Sequence, residues 1–98
     1  MLNKIILPIG TIIKLIESDS KVMITGYLMK NKNTGYIYDY CGCEYPIGVK
    51  NKESNLYFDK RDISKIIKIG YINQEFLLIE KRLKKEKKYE SRKIFANR

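Results

Sequence analysis

Few residues in this chain could carry covalent chemistry. Histidine is absent, which removes the commonest general base and metal ligand at neutral pH. The best remaining metal candidate is Cys41-Gly42-Cys43, with Asp39 on the same predicted strand face. Tetrahedral zinc usually takes four Cys or His ligands, and only two are present. The two thiols therefore read as small, reduced, partly buried side chains, and neither has a histidine to activate it as a nucleophile. Asp59 and Asp62 read as caps of a short helical turn rather than as an acid–base pair. The glycines are scattered and form neither a phosphate loop nor a dinucleotide fingerprint. The sequence thus predicts a protein that is not an enzyme and has no metal or cofactor.

The remaining chemistry is that of binding. Tyr36, Tyr38 and Tyr40 alternate along one predicted strand, which puts them on one face, with Ile37, Asp39, Cys41 and Cys43 on the other. A tyrosine row can stack bases beside cations that meet phosphates, but it can equally be cross-strand packing. The cations lie mostly at the C-terminus. Residues 81–98 hold nine Lys or Arg against two Glu, out of a net charge of +9 for the whole chain. Such a segment attracts nucleic acid, acidic lipid or an acidic protein face. A small basic nucleic-acid-binding barrel is accordingly one alternative reading. Against it, residues 1–80 are close to neutral, so no charged groove is evident.

The elements that position these residues are short. Leu7-Pro8-Ile9-Gly10-Thr11 leads into a strand over residues 11–16, since Pro8 cannot donate to a ladder. A second strand runs from Lys21 to Lys30 with Val22, Ile24, Gly26 and Leu28 on one side, and Gly26 predicts a bend or bulge. A third spans Tyr36 to Cys43, followed by a type I turn at Tyr45-Pro46-Ile47-Gly48. Short strands over 55–58 and 63–71 flank a helical turn capped by Asp59. Asn73 then caps a helix whose apolar positions Phe76, Ile79 and Leu83 follow helical spacing, with Glu80 and Lys84 paired four apart.

Ninety-eight residues make one domain. The expected fold is mainly β (α+β), with about five strands and a C-terminal helix. An SH3-like barrel closed by the helix is the first expectation, and a bent antiparallel sheet the alternative. Residues 1–83 form the domain, and 84–98 a basic, mobile tail, because the apolar stripe ends near Leu83. No run approaches the ~18 apolar residues of a membrane span, so a cytoplasmic protein without membrane insertion is expected. The first strand is apolar on both sides, with Ile13 and Leu15 opposed to Ile12 and Ile16. Either the terminal helix or a partner must cover the second side. The oligomeric state is left open.

Tyr38-Asp39-Tyr40-Cys41-Gly42-Cys43-Glu44-Tyr45-Pro46-Ile47-Gly48 completes a recognisable pattern with Leu7-Pro8-Ile9-Gly10-Thr11, Gly26, Phe58-Asp59, Asp62-Ile63, Ile66 and Gly70-Tyr71. Over roughly residues 7–76 the chain resembles the domain-of-unknown-function 4176 family, small proteins of low-GC Gram-positive bacteria associated with type VII secretion loci that encode LXG-type toxins. It departs from that pattern at Ile47, where an acidic residue is expected, and after Tyr71, where an acidic run is reduced to Glu75. The resemblance implies an accessory role: chaperone or targeting factor for a secreted toxin or a secretion component, with immunity protein to a neighbouring toxin as a related alternative. The pattern is densest around Tyr40, Tyr45, Pro46, Ile47 and Gly48, which makes these the candidate protein-binding residues, with Tyr45 as a large, semi-rigid anchor.

Overall fold

A computed structural model describes the backbone of residues 6–96 and the side chains of residues 6–85. Five strands follow in chain order: β1 (Ile12–Leu15), β2 (Lys21–Lys30), β3 (Ile37–Tyr45), β4 (Leu56–Phe58) and β5 (Ile63–Lys68). One helix, α1 (Gln74–Ala96), completes the chain. The strands form one antiparallel sheet in the order β4-β3-β2-β1-β5. The fold is therefore the expected mainly-β arrangement of five strands and a C-terminal helix.

Of the two expected architectures, the open one forms. No ladder joins β4 to β5, so the SH3-like barrel does not close. The sheet is nonetheless strongly bent. Edges of a flat five-stranded sheet lie about 19 Å apart, yet β4 and β5 are joined by residues 59–62 alone, with a 3-10 turn at Lys60–Asp62. Even fully extended, that link reaches about 17 Å, so the two edges must curl toward each other. Closure fails because β4 is only three residues long and its outer edge has no laddered partner among the described residues.

Bending is built into β2. The β2–β3 register shifts between Ile24 and Gly26, which leaves Thr25 as an extra residue. This is the bulge predicted at Gly26. A Cβ on Gly26 would sit 2.8 Å from the Cys41 Sγ atom, so a larger residue there would force the buried Cys41 side chain to shift. The bulge also resets the alternation. Val22 and Ile24 point into the core before it, whereas Tyr27 does so after it, and Leu28 leaves the predicted shared face with φ at 49°.

The core gathers Leu7, Ile13, Val22, Ile24, Tyr40 and Phe58, with Leu15, Tyr27, Leu56 and Ile63 packed around them. The apolar second side of β1 is half resolved by the fold: Ile12 and Ile13 are both buried, while Ile16 is exposed. Helix α1 starts as expected, with the Asn73 Oδ1 atom accepting the Phe76 N–H at 2.9 Å. It lies against β3, buries Leu83 and half-buries Phe76, but leaves Ile79 exposed. The Glu80–Lys84 pair forms at 3.8 Å. The segment 84–98 continues α1 as far as Ala96; most of its side chains lie outside the described residues.

Candidate protein-binding surface

Two polar clasps hold the frame from which any surface is presented. In the first, the hydroxyls of Tyr27 and Tyr40 grip one residue of the lead-in segment. Tyr27 donates to the Leu7 carbonyl at 2.7 Å, and the Leu7 N–H donates to the Tyr40 Oη atom at 3.1 Å. Burial pushes both phenols up to about 12; the neighbouring Tyr40 adds to the rise of Tyr27, and the backbone hydrogen bond at Leu7 partly offsets that of Tyr40. The same segment locks the end of β5. The Thr11 hydroxyl donates to the Pro8 carbonyl at 2.7 Å and accepts the Gly70 N–H at 3.0 Å. A Cβ on Gly70 would collide with the Ile9 carbonyl, so glycine is required for this approach.

The second clasp centres on Asp59, which is buried. Its carboxylate accepts the Asp39 N–H at 2.9 Å and the Tyr36 hydroxyl. The Asp62 carboxylate accepts the Asp59 N–H at 2.8 Å, and the Asp39 carboxylate accepts the Lys60 N–H at 2.8 Å. The hydrogen bond to Asp59 is the main reason Tyr36 is pushed up to about 12, with burial second. Asp59 and Asp62 do close the helical turn, as read from the sequence. The larger role of Asp59, tying the start of β3 to the β4–β5 link, has no local signature in the chain.

Cys41 and Cys43 are free and buried. Among the described residues, no group of three or more His, Cys, Asp or Glu is placed to hold a metal. No described helix is long and apolar enough to cross a membrane.

The predicted binding residues separate. Tyr40 is 1% exposed, with its ring 5.8 Å from Phe58 and 5.9 Å from Tyr27; it belongs to the core and lies on no surface. Tyr45 and Ile47 are exposed, at 46% and 56%, and so is Pro46, while Gly48 is half-buried. The exposed Val49 extends this apolar tip. The turn is one residue wider than the expected type I turn: the Gly48 N–H donates to the Glu44 carbonyl at 2.7 Å. The tyrosine row splits as well. Tyr36 and Tyr38 leave the core and meet each other at 4.8 Å, and Tyr38 stacks on Tyr57 at 6.0 Å.

A larger apolar stretch escaped the reading of the sequence. From β5 into α1, the side chains of Ile66, Ile67, Ile69, Tyr71, Ile72, Leu77, Leu78 and Ile79 are all exposed. The signal for it was present in the doublets Ile66-Ile67 and Leu77-Leu78. On a strand or on the rim of a helix, neighbouring residues point different ways, so a doublet cannot lie wholly against one core, and here both members of each stay exposed.

With this frame and these surfaces defined, the chain can be compared with known proteins. It matches the family described as a domain of unknown function (DUF4176) over residues 6–89. The chain belongs to that family. No curated protein and no solved structure matches it significantly. The pattern through which the sequence resembles this family divides in the structure between frame and surface. Pro8, Thr11, Tyr40, Asp59 and Gly70 are spent on the core and clasps, whereas Tyr45, Ile47 and Tyr71 project outward.

Proposed function

We infer that this member of the DUF4176 family is a non-catalytic accessory protein of a type VII secretion system, acting in the cytoplasm. In this reading it binds an LXG-type toxin or a secretion component as chaperone or targeting factor. One observation carries the binding role: the exposed apolar stretch from Ile66 to Ile79. Apolar side chains left exposed are costly in water, and a concentration of them marks an interaction site. The secretion context comes from the resemblance. The Tyr45 turn offers a second, smaller apolar tip.

The test is co-expression with the product of the adjacent LXG-toxin gene, followed by affinity capture and size-exclusion co-elution. Co-elution of the wild-type protein with that product, or with a secretion component, supports the reading. Failure to bind any product of the locus removes it. Tyr45→Ala sharpens the site, because Tyr45 is 46% exposed. Its truncation is expected to leave folding stability within about 1 kcal/mol of wild type. As an anchor it costs about 2 kcal/mol of binding. A folded variant that still co-elutes normally takes Tyr45 out of the site.

A further inference from the structure

Tyr71 is 79% exposed, the most exposed of the large apolar side chains among the described residues. It nevertheless leaves a firmly held stretch of backbone. Gly70 on one side is hydrogen-bonded to Thr11 and packed against residues 9–11. On the other side Asn73 caps α1 through the Phe76 N–H. A tyrosine projected from immobilised backbone has only its two side-chain torsions left to order on binding, which suits it to be an anchor.

The surroundings say what it would anchor. Ile72 is exposed beside it, and Leu77 and Leu78 are exposed on the first turns of α1 at 50% and 70%. One helical turn further, at i+4, those two rows continue as Lys81 and Arg82, both exposed. The acids of this stretch do not offset them. Glu80 is half-buried and paired with Lys84, which leaves Glu75 as the exposed carboxylate. The surface is therefore apolar at its centre and cationic along α1.

Strand addition to this side of the molecule is disfavoured. The β1–β5 register shifts twice, at Ser64 and at Ile67, and β5 carries Lys65 and Lys68. Bulges and lysines are the features that keep an edge strand from pairing. The apolar part also ends within the first turns of α1 and gives way to Lys, unlike the sustained apolar face of an interfacial membrane helix.

We propose that the surface formed by Tyr71, Ile72, Leu77 and Leu78, continued by Lys81 and Arg82, docks an acidic amphipathic helix of a partner protein. This rests on the accessory, protein-binding reading and names the chemistry of the partner. The partner helix lays its apolar face on Tyr71 and the leucines, and its carboxylates meet the cations of α1.

The test uses the full chain and two synthetic helical peptides with the same leucine face, one flanked by Glu and the other by Lys, read by fluorescence anisotropy. The Glu peptide is expected to bind and the Lys peptide to bind at least about tenfold more weakly. Tyr71→Ser with Leu78→Ser should weaken the Glu peptide by about tenfold or more with an unchanged melting temperature. Lys81→Glu with Arg82→Glu should reverse the preference between the peptides. Lys50→Glu with Lys52→Glu makes the same change of net charge away from the surface and should leave it intact. Equal binding of the two peptides, no binding of either, or equal losses from both charge-reversal pairs overturns the proposal. So does dimerisation that Tyr71→Ser abolishes, or sedimentation with phosphatidylserine vesicles through the same residues. Capture of the neighbouring toxin separates the two levels. If wild-type protein and the Tyr71→Ser, Leu78→Ser variant capture it equally, helix docking at this surface falls and the accessory role stands. If the Glu peptide binds as expected and no locus product is captured, the accessory role falls and the surface stands.

Discussion

Strands β3 and β5 lie in one sheet and reverse the burial their compositions suggest. In β3 (Ile37–Tyr45), Tyr, Asp, Cys and Gly predominate, yet the run from Tyr40 to Cys43 is buried on both faces. In β5 (Ile63–Lys68) three of six residues are isoleucine, yet every residue after Ile63 is exposed. Position accounts for the difference. β3 has a strand on each side and α1 against it, whereas β5 is an edge held to β1 through two register shifts. Burial is conferred by neighbours rather than by residue type. Isoleucines that the fold leaves uncovered, at a cost in water, are those available to a partner.

The largest expected way to collapse the β3 side is alkali. Tyr27 and Tyr40 are pushed up to about 12 by burial, against an ordinary value of 10. Between those values the unfolded chain loses phenolic protons that the folded chain keeps, so stability falls as pH rises. Below pH 10 both phenols are protonated in either state, and stability should not depend on them. Melting temperatures should therefore drop steeply from about pH 10 to 12, and Tyr27→Phe should flatten that drop. A flat profile in wild-type protein would contradict the packing of both rings.

Next in size is Tyr40→Ala, which removes a fully buried ring and the acceptor for the Leu7 N–H. It should cost about 4 kcal/mol in urea unfolding. Asp59→Ala strips the acceptor from the Asp39 N–H and the Tyr36 hydroxyl, and should cost about 2 kcal/mol. At the small end, Ile66→Ser with Ile67→Ser on β5 should change stability by less than about 1 kcal/mol, while weakening capture of a partner. A loss near that of Tyr40→Ala would show that β5 is covered within the monomer and would erase the contrast. Hydrogen exchange along α1 sharpens the comparison further: protection should decline beyond about Lys84, where the apolar stripe ends, and uniform protection to residue 96 in the free monomer would contradict a mobile tail.

Much of this was legible locally. The bounds of β2, the bulge at Gly26, the short turn at Asp59–Asp62, the Asn73 cap and the Glu80–Lys84 pair all follow from spacings of a few residues. So did family membership, through the order of its motifs. Other features escaped because they depend on contacts distant in sequence. Tyr40 and Tyr45 sit five residues apart in one motif, and alternation puts them on opposite faces without telling which face is the core. The Thr25 bulge reset the phase of β2, which put Tyr27 rather than Leu28 against the core. The grip of Thr11 on Gly70 joins residues 59 positions apart, and nothing in either stretch reveals the other.

By itself the sequence determined which segments become strands, where they turn and where the helix begins, because these depend on backbone preferences and side-chain periods within a few residues. Strand order was decided only by tertiary structure, and with it which strand lies in the centre and which at the edge. The energy of burial belongs to pairs of surfaces brought together from distant parts of the chain. That pairing left Tyr71, Leu77 and Leu78 facing water.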